Sequence, residues 1–310
     1  MKKHNLLTCL LFASICGFGQ QDPQYNMYQF NQMIINPAYA GSRDGLSTLA
    51  SFRQQWAGFT GAPQTICASA HAPIAKKNIG VGLTVIKDAM GPRDVVSAYG
   101  NFAYILKLTQ KAKLSFGLNA GYNRYQFNYS KINFSTAENN VPTEFASNFN
   151  RGTLDVNGGL YFKLPGFFLG VSATHINTPK AYSIDASVGS GKYTYKLGTH
   201  FFVTVGKSFV VNKNLVFAPT LMLKQVGNKT GLDLNLNFFI MKKMWLGAFY
   251  RNGYGPGALL QYYITDAFRV AYSYDTGLND ARRLGGSHEV MLGFDFAATK
   301  KPRMVTPRFL

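Results

Sequence analysis

Apolar and polar residues alternate with a period of two through most of the chain between Gly45 and Phe296. In 231–238, Gly-Leu-Asp-Leu-Asn-Leu-Asn-Phe, one face is aliphatic or aromatic and the other carries an aspartate and two asparagines. Successive residues of a strand point to opposite sides of the sheet, so this segment separates an apolar face from a polar one. The same alternation recurs in 114–122, 154–157 and 268–275. Such a series of strands is typical of an all-β protein that crosses a membrane as a β-barrel.

Runs of period two, bounded by clusters of Gly, Pro, Asn, Asp and Lys, predict about fourteen antiparallel strands in up-and-down order. The predicted spans are 45–56, 65–73, 79–87, 95–108, 112–126, 153–163, 167–176, 195–206, 214–224, 230–239, 243–251, 256–263, 268–275 and 287–296. Bacterial barrels have an even number of strands, and most of these spans match the roughly 9 to 11 residues that a tilted strand needs to cross a bilayer. The pattern therefore predicts a transmembrane β-barrel over residues 45–296.

The connections between the predicted strands alternate in length. Those after even-numbered strands are short, and the three longest, 127–152, 177–194 and 276–286, all follow odd-numbered strands. Outer-membrane barrels have short periplasmic turns and longer outer loops. We therefore expect an inner, periplasmic rim of short turns and an outer rim that carries the long loops.

The segments outside the barrel differ in composition. Residues 1–19 have the basic start, apolar run and terminal Gly-Phe-Gly of a secretory signal peptide, which predicts cleavage after Gly19; a lipoprotein signal ending at Cys16 is the alternative. Residues 20–44 are too short for a domain and are expected to plug the lumen, pack on the periplasmic mouth or engage a partner. Residues 297–310 form a basic tail, expected in the periplasm.

Composition supports crossing by strands in the outer membrane. The mean hydropathy is only -0.06, and after the signal no apolar run reaches the roughly 20 residues of a spanning helix. Cys67 is the one cysteine left after signal removal, so no intrachain disulfide is expected. The net charge is +18 for the full chain. Export by a signal peptide argues against nucleic acid as the partner of this charge.

Much of the positive charge falls on the predicted inner rim, where acidic neighbours are few. Lys76, Lys77 and Lys242 lie in two of its short turns, and Lys243 begins the predicted strand after the second turn. These lysines could meet the anionic headgroups of outer-membrane lipid. The alternative is that they dock an acidic periplasmic partner.

No segment carries a complete catalytic, metal-binding or cofactor-binding motif. The start at His288-Glu289 of a zinc-protease pattern lacks its second histidine, so no cofactor is expected. A surface hydrolase using Ser172 and His175 is kept as an enzyme alternative. Polar residues on the inward face of the predicted strands could fill a closed barrel or line a conducting pore. They are Asn119, Asn123, Asp155, Asn157, Asp233, Asn235, Asn237, Arg269 and Asp275.

Four segments together resemble a known family. They are Asn36-Pro-Ala-Tyr-Ala-Gly41; Arg53-Gln-Gln-Trp-Ala-Gly-Phe59 with 61–65 and 71–73; Gly170-Val-Ser-Ala-Thr-His-Ile-Asn177; and Gly285-Gly-Ser-His-Glu-Val-Met-Leu292. In this order, from about residue 20 to 296, they are similar to the PorP/SprF family of type IX secretion and gliding-motility membrane proteins of Bacteroidetes.

The resemblance implies a non-enzymatic outer-membrane protein that serves the export or surface anchoring of secreted adhesins with a C-terminal sorting domain. It also implies a periplasmic partner, either a peptidoglycan-binding or a translocon component. The candidate partner-binding residues are Asn36, Pro37, Tyr39, Arg53, Gln54, Trp56, Lys76, Lys77, Lys242 and Lys243. The alternative for the motif residues is a structural role, with Asn36-Pro37 as a turn and Trp56 as an interfacial anchor. A passive or substrate-gated pore is the second function considered.

Overall fold

The computed structural model describes residues 22–74, 77–128, 131, 149–185 and 192–296. Its strands are β1 Leu46–Gln54, β2 Gln64–Pro73, β3 Ile79–Met90, β4 Arg93–Lys107, β5 Lys113–Phe127, β6 Phe149–Leu164, β7 Phe167–Thr174, β8 Lys180–Asp185, β9 Lys192–Lys196, β10 His200–Lys207, β11 Phe209–Asn212, β12 Leu215–Val226, β13 Lys229–Ile240, β14 Met244–Arg251, β15 Gly255–Tyr263, β16 Phe268–Asp275 and β17 Ser287–Phe296. None of the described helices is long and apolar enough to cross a membrane.

Fourteen of these strands form a closed antiparallel barrel, which confirms the predicted fold class. Each barrel strand pairs with its neighbours in chain order, and β1 pairs with β17 to close the sheet. The short strand β11 follows β10 after Ser208 and pairs with β12 only.

Strands β8 and β9 were not predicted. They form a separate two-stranded sheet within the long loop after β7. The predicted strand 195–206 instead begins at His200, because residues 195 and 196 belong to β9. Both stretches alternate in the same way, and alternation alone does not say which strand each one pairs with.

The two rims differ as expected. One rim carries the described connecting residues 74, 77–78, 108–112, 165–166, 208–214, 241–243 and 264–267, together with the start of β1 and the end of β17. The other carries the described connecting residues 55–63, 91–92, 128, 131, 175–185, 192–199, 227–228, 252–254 and 276–286. The described ends of all three predicted long loops lie on this second rim, so we name it the outer rim and the first the inner rim.

The two faces of the strands also differ in polarity and exposure, as predicted. In β13, Leu232, Leu234, Leu236 and Phe238 are 38 to 40% exposed, whereas Asp233, Asn235 and Asn237 are at most 6% exposed. The apolar side chains therefore point outward over the whole height of this strand. An apolar exterior around a polar interior is the arrangement that a lipid bilayer requires.

The hydrophobic core lies inside the barrel, between its wall and the segment that precedes β1. Met27, Phe30 and Met33 of that segment are at most 3% exposed. They share a cluster with wall residues that include Phe168 and Trp245. The interior is thus a packed core, built largely by residues 22–44, which we call the plug.

Candidate functional site: the plug and its seat

Three short 3-10 turns shape the plug: Tyr28–Phe30, Gln32–Ile34 and Pro37–Tyr39. Asn36 caps the third turn, because its side-chain oxygen accepts a hydrogen bond of 3.0 Å from the Ala38 amide. Pro37 follows at the first position of the turn, where its fixed φ suits the geometry and no amide hydrogen is needed. The Asn-Pro turn predicted from the sequence is therefore a cap that compacts the plug.

The plug runs through the lumen from the outer to the inner end. Asp22 contacts His175, which follows the outer end of β7. Arg43, at the other end of the plug, binds Asp295 near the inner end of β17 at 3.0 Å. Residues 26–41 are buried except for the half-buried Ile34. Because only the wall surrounds them, these residues occlude the lumen.

Two glycines of the wall allow the plug backbone to approach closely. A methyl group added at Gly117 of β5 would lie 2.0 Å from the Ala38 nitrogen. One added at Gly80 of β3 would lie 2.1 Å from the Ala40 oxygen. Glycine within a strand can help a sheet to bend, but at these two positions it makes room for the plug.

Hydrogen bonds and ring contacts fix the third turn against the wall. The Asn36 amide donates to the Leu160 carbonyl at 2.9 Å, and the Ser172 hydroxyl donates to the Ile35 carbonyl at 2.6 Å. The Tyr39 ring meets the rings of His71 and Tyr161 edge-on, each with 5.3 Å between centroids. Three barrel strands, β2, β6 and β7, thus hold this part of the plug.

A buried charge cluster lies toward the outer end. Arg53 of β1 lies 2.9 Å from Asp275 and 3.5 Å from Glu289, and all three side chains are at most 2% exposed. Asn26 of the plug joins them: its amide nitrogen donates to Glu289 at 2.7 Å and its side chain to Asp275 at 2.5 Å. Buried charges require such partners, because an isolated charge in a barrel interior is costly.

Further charged contacts anchor both ends of the plug. At the outer end, Arg251 pairs with Asp233 at 2.8 Å and donates to Gln24 and to the Tyr25 carbonyl. At the inner end, Asp295 accepts from Arg43 of the plug and from Arg269 of β16. The plug is therefore bound by ion pairs and hydrogen bonds as well as by apolar packing.

Two histidines near the outer end, His175 and His200, contact the start of the plug. The two ring nitrogens of His175 contact Asp155 at 2.8 Å and Asp22 at 3.0 Å. His200 lies 2.9 Å from the same Asp22 carboxylate. Both rings are buried, so these histidines hold the start of the plug.

The inward-facing polar residues bond to one another. Asn119 donates to Asn101 at 3.0 Å, Asn157 donates to Asn119 at 2.7 Å, and the His175 amide donates to Asn157. The sequence left two roles open for these residues, filling a closed barrel or lining a conducting pore. Their mutual hydrogen bonds match the first role.

Above the plug, toward the outer rim, a cavity of about 260 Å³ remains. Tyr28 and Ile35 of the plug line it from below, and Phe202 and Lys224 line one side. Val95 and Tyr125 line another side of the cavity. Leu197 and Tyr195, near the end of the β8–β9 insertion, pack against these two residues. The outer part of the lumen thus contains space that the plug leaves open.

The structure separates the predicted partner-binding residues into three groups. Asn36, Pro37, Tyr39 and Arg53 are buried inside the barrel and contact its own residues. Gln54 and Trp56 lie at the outer rim, Lys77, Lys242 and Lys243 are exposed at the inner rim, and Lys76 lies outside the described residues. Contact of any of these residues with a partner stays a prediction. The first group has a structural role, which the sequence offered as the alternative for Asn36 and Pro37.

The four motif segments meet in space around the plug and at the outer rim. The first segment lies in the plug itself. The third contacts the plug through Ser172 and His175, and the fourth contacts it through Glu289. At the outer rim, the Ala57 amide donates to the Gly286 carbonyl at 2.8 Å, which joins the second segment to the fourth. Their shared role is to seat the plug and to tie two rim loops together.

Comparison with protein families identifies a family for nearly the whole chain. The model of the type IX secretion system membrane protein PorP/SprF matches residues 17–294. The chain belongs to the PorP/SprF family. The resemblance inferred from the four motifs is thereby confirmed. No protein with a curated description matches the chain.

Solved structures of other barrels resemble this PorP/SprF member in fold. The CymD monoaromatic hydrocarbon channel has a TM-score of 0.50 and 10% identity, covering 86% of this chain and 92% of its own. The P. putida toluene transporter TodX has a TM-score of 0.49 and 9% identity, covering 87% and 95%. A Pseudomonas aeruginosa FadL homologue has a TM-score of 0.47 and 10% identity, covering 90% and 96%. At such identities the likeness to CymD supports the barrel fold alone.

Proposed function

We propose that this PorP/SprF protein is a non-enzymatic component of the outer membrane that supports the export or surface anchoring of secreted adhesins. The adhesins would carry a C-terminal sorting domain, and a peptidoglycan-binding or translocon component would bind on the periplasmic side. Membership of a type IX secretion family supports this role, and the apolar exterior of the barrel suits an outer membrane.

The occluded lumen is the observation that carries the proposal. Residues 26–41 are held by glycine contacts, ring contacts and charged bonds, and almost all are buried. A barrel filled in this way offers its two rims to partners rather than a passage to solutes. Large adhesins would thus be served by binding at a rim.

The contacts of Ser172 and His175 favour a non-enzymatic role over the hydrolase alternative. The Ser172 hydroxyl donates to the Ile35 carbonyl, and both ring nitrogens of His175 contact carboxylates. A serine nucleophile needs a base with a nitrogen free to accept its proton. Here both groups are engaged in holding the plug.

A substrate-gated pore is the second candidate, and the cavity of about 260 Å³ above the plug favours it. Conduction would require the plug to move. Single-channel recording of the purified protein, alone and with culture supernatant as the source of substrate, separates the two functions: currents in either condition support the pore, and silence in both supports the binding role.

Deletion of the gene tests the proposal in cells. We expect the loss of at least one adhesin from the cell surface, measured by comparing surface and secreted proteins of the deletion and parent strains. Reintroducing the wild-type gene should restore it, and co-purification from native membranes should recover the adhesin. Unchanged surface and secreted proteins in the deletion strain would count against this function.

A further inference from the structure

Three lysines stand side by side across the inner end of the barrel. Lys107 of β4 is directly opposite Lys113 of β5, and Lys113 is directly opposite Lys163 of β6. Neighbouring strands lie about 4.8 Å apart, so the three backbone positions span about 10 Å. We call Lys107, Lys113 and Lys163 the lysine row.

The row faces the lumen and not the lipid. Residues two apart on a strand share a face, and the neighbours of the row at that spacing are Ile105, Ser115 and Tyr161. All three neighbours are buried inside the barrel, at 9%, 4% and 1% exposure. Lys107 and Lys113 are themselves exposed and Lys163 is half-buried. The ammonium groups therefore line the inner mouth, beside the end of the plug.

The described residues compensate the row only weakly: Asp44, at the end of the plug, attracts Lys163 without forming an ion pair with it. No ion pair or hydrogen bond joins any of its ammonium groups to a described residue. Arg43, the plug cation at this end, is occupied by Asp295. By contrast, Lys87 at the outer end pairs with Asp94, and Arg93 pairs with Asp88.

Such a row is unfavourable in the protein alone. Like charges directly opposite on neighbouring strands repel each other and destabilise the pairing. An anion that contacts all three lysines relieves this repulsion. The inner mouth is thus arranged for an anionic ligand rather than for stability of the free barrel.

We propose that the lysine row binds an acidic peptide segment of a periplasmic partner. This rests on the proposed function, because that function makes the inner rim periplasmic. An extended segment with acidic residues at every second position presents its carboxylates on one side at intervals of about 6.6 Å. The backbones of the row are about 4.8 Å apart, and the flexible four-carbon lysine side chains can spread to meet those carboxylates. Lipid headgroups lie around the outside of the barrel, so they are better placed to meet Lys77, Lys242 and Lys243 on the turns.

The test uses the full-length protein in nanodiscs of neutral phosphatidylcholine and a short fluorescein-labelled polyglutamate peptide as probe. Binding is followed by fluorescence anisotropy at increasing salt. The row variant is Lys107→Gln/Lys113→Gln/Lys163→Gln. The matched control is Lys111→Gln/Lys207→Gln/Lys213→Gln, which removes the same charge from exposed positions of the same rim.

We expect the row variant to bind the peptide roughly tenfold more weakly and the control to bind within about twofold of the wild type. Salt should weaken wild-type binding, because the contacts are exposed charges. Replacing the three lysines of the row by arginine should retain binding and excludes misfolding as the cause of a loss. Equal weakening in both glutamine variants, or no binding by the wild type, overturns the proposal.

A second arm distinguishes lipid from peptide, using vesicles that contain phosphatidylglycerol in place of the peptide. If the row variant loses vesicle binding but keeps peptide binding, the row is a lipid site and the proposal is wrong. The proposed function is tested separately by gene deletion. Unchanged surface proteins after deletion would contradict that function without changing the result of the peptide-binding measurement.

Discussion

Replacing Gly117 by alanine adds a methyl group where the plug backbone already lies. The new carbon would be 2.0 Å from the Ala38 nitrogen and 2.3 Å from its Cα. Ordinary contact begins at 3.4 Å, so plug and wall must separate by about 1.4 Å. Both sides are backbone, and no flexible side chain can turn away to relieve the clash. We expect the third turn of the plug to leave its seat.

The cost follows from the contacts at that seat. Overpacking a well-filled core costs about 1–3 kcal/mol, and the displaced turn would also weaken the Tyr39 ring contacts and the Asn36 hydrogen bonds. On unfolding in urea, the midpoint should fall by roughly 0.5–1 M. Gly100 is the matched control, because a methyl group there meets nothing within 4 Å.

Tryptophan fluorescence reports the position of the plug directly. Trp245 is 1% exposed and meets Phe30 of the plug edge-on at 6.0 Å. In a Trp56→Phe background it is the sole tryptophan of the chain. Gly117→Ala should shift its emission to longer wavelength and give measurable single-channel currents, whereas Gly100→Ala should leave both as in the parent. If the two alanine variants behave alike, the close contact between plug and wall is not what the structure indicates.

Two further predictions concern the charge cluster and the direction of the plug. Arg53→Met should destabilise the barrel by about 3–5 kcal/mol in urea unfolding, because it leaves buried carboxylates unpaired, and adding Glu289→Gln should recover part of the loss; an unchanged midpoint would contradict the role of the cluster. Gln24→Cys should react with a membrane-impermeant maleimide on intact cells, because Gln24 lines the outer cavity, while the native Cys67, fully buried, stays unmodified in the folded protein. Modification of Gln24→Cys only after the membrane is permeabilised would show that the plug begins at the other end.

The sequence by itself determined the barrel wall. Alternation with a period of two shows which side chains face out, and turn residues show where each strand stops, since both signals are local. Leu232 and Asp233 were assigned to opposite faces from their positions alone, and their exposures agree. The sorting of long loops to one rim followed as well, because antiparallel neighbours must alternate in direction.

Only the tertiary structure decided what fills the barrel. Residues 22–44 show no periodic pattern that would predict their path through the lumen. The sequence also does not distinguish a glycine that lets the sheet bend from one, such as Gly117, that makes room for the plug backbone. The pair Arg53 and Glu289 arises from closure, which places the first and last strands side by side. The lysine row likewise depends on register between strands. Contacts between residues far apart in the chain are set by how the sheet closes, and no local pattern records that closure.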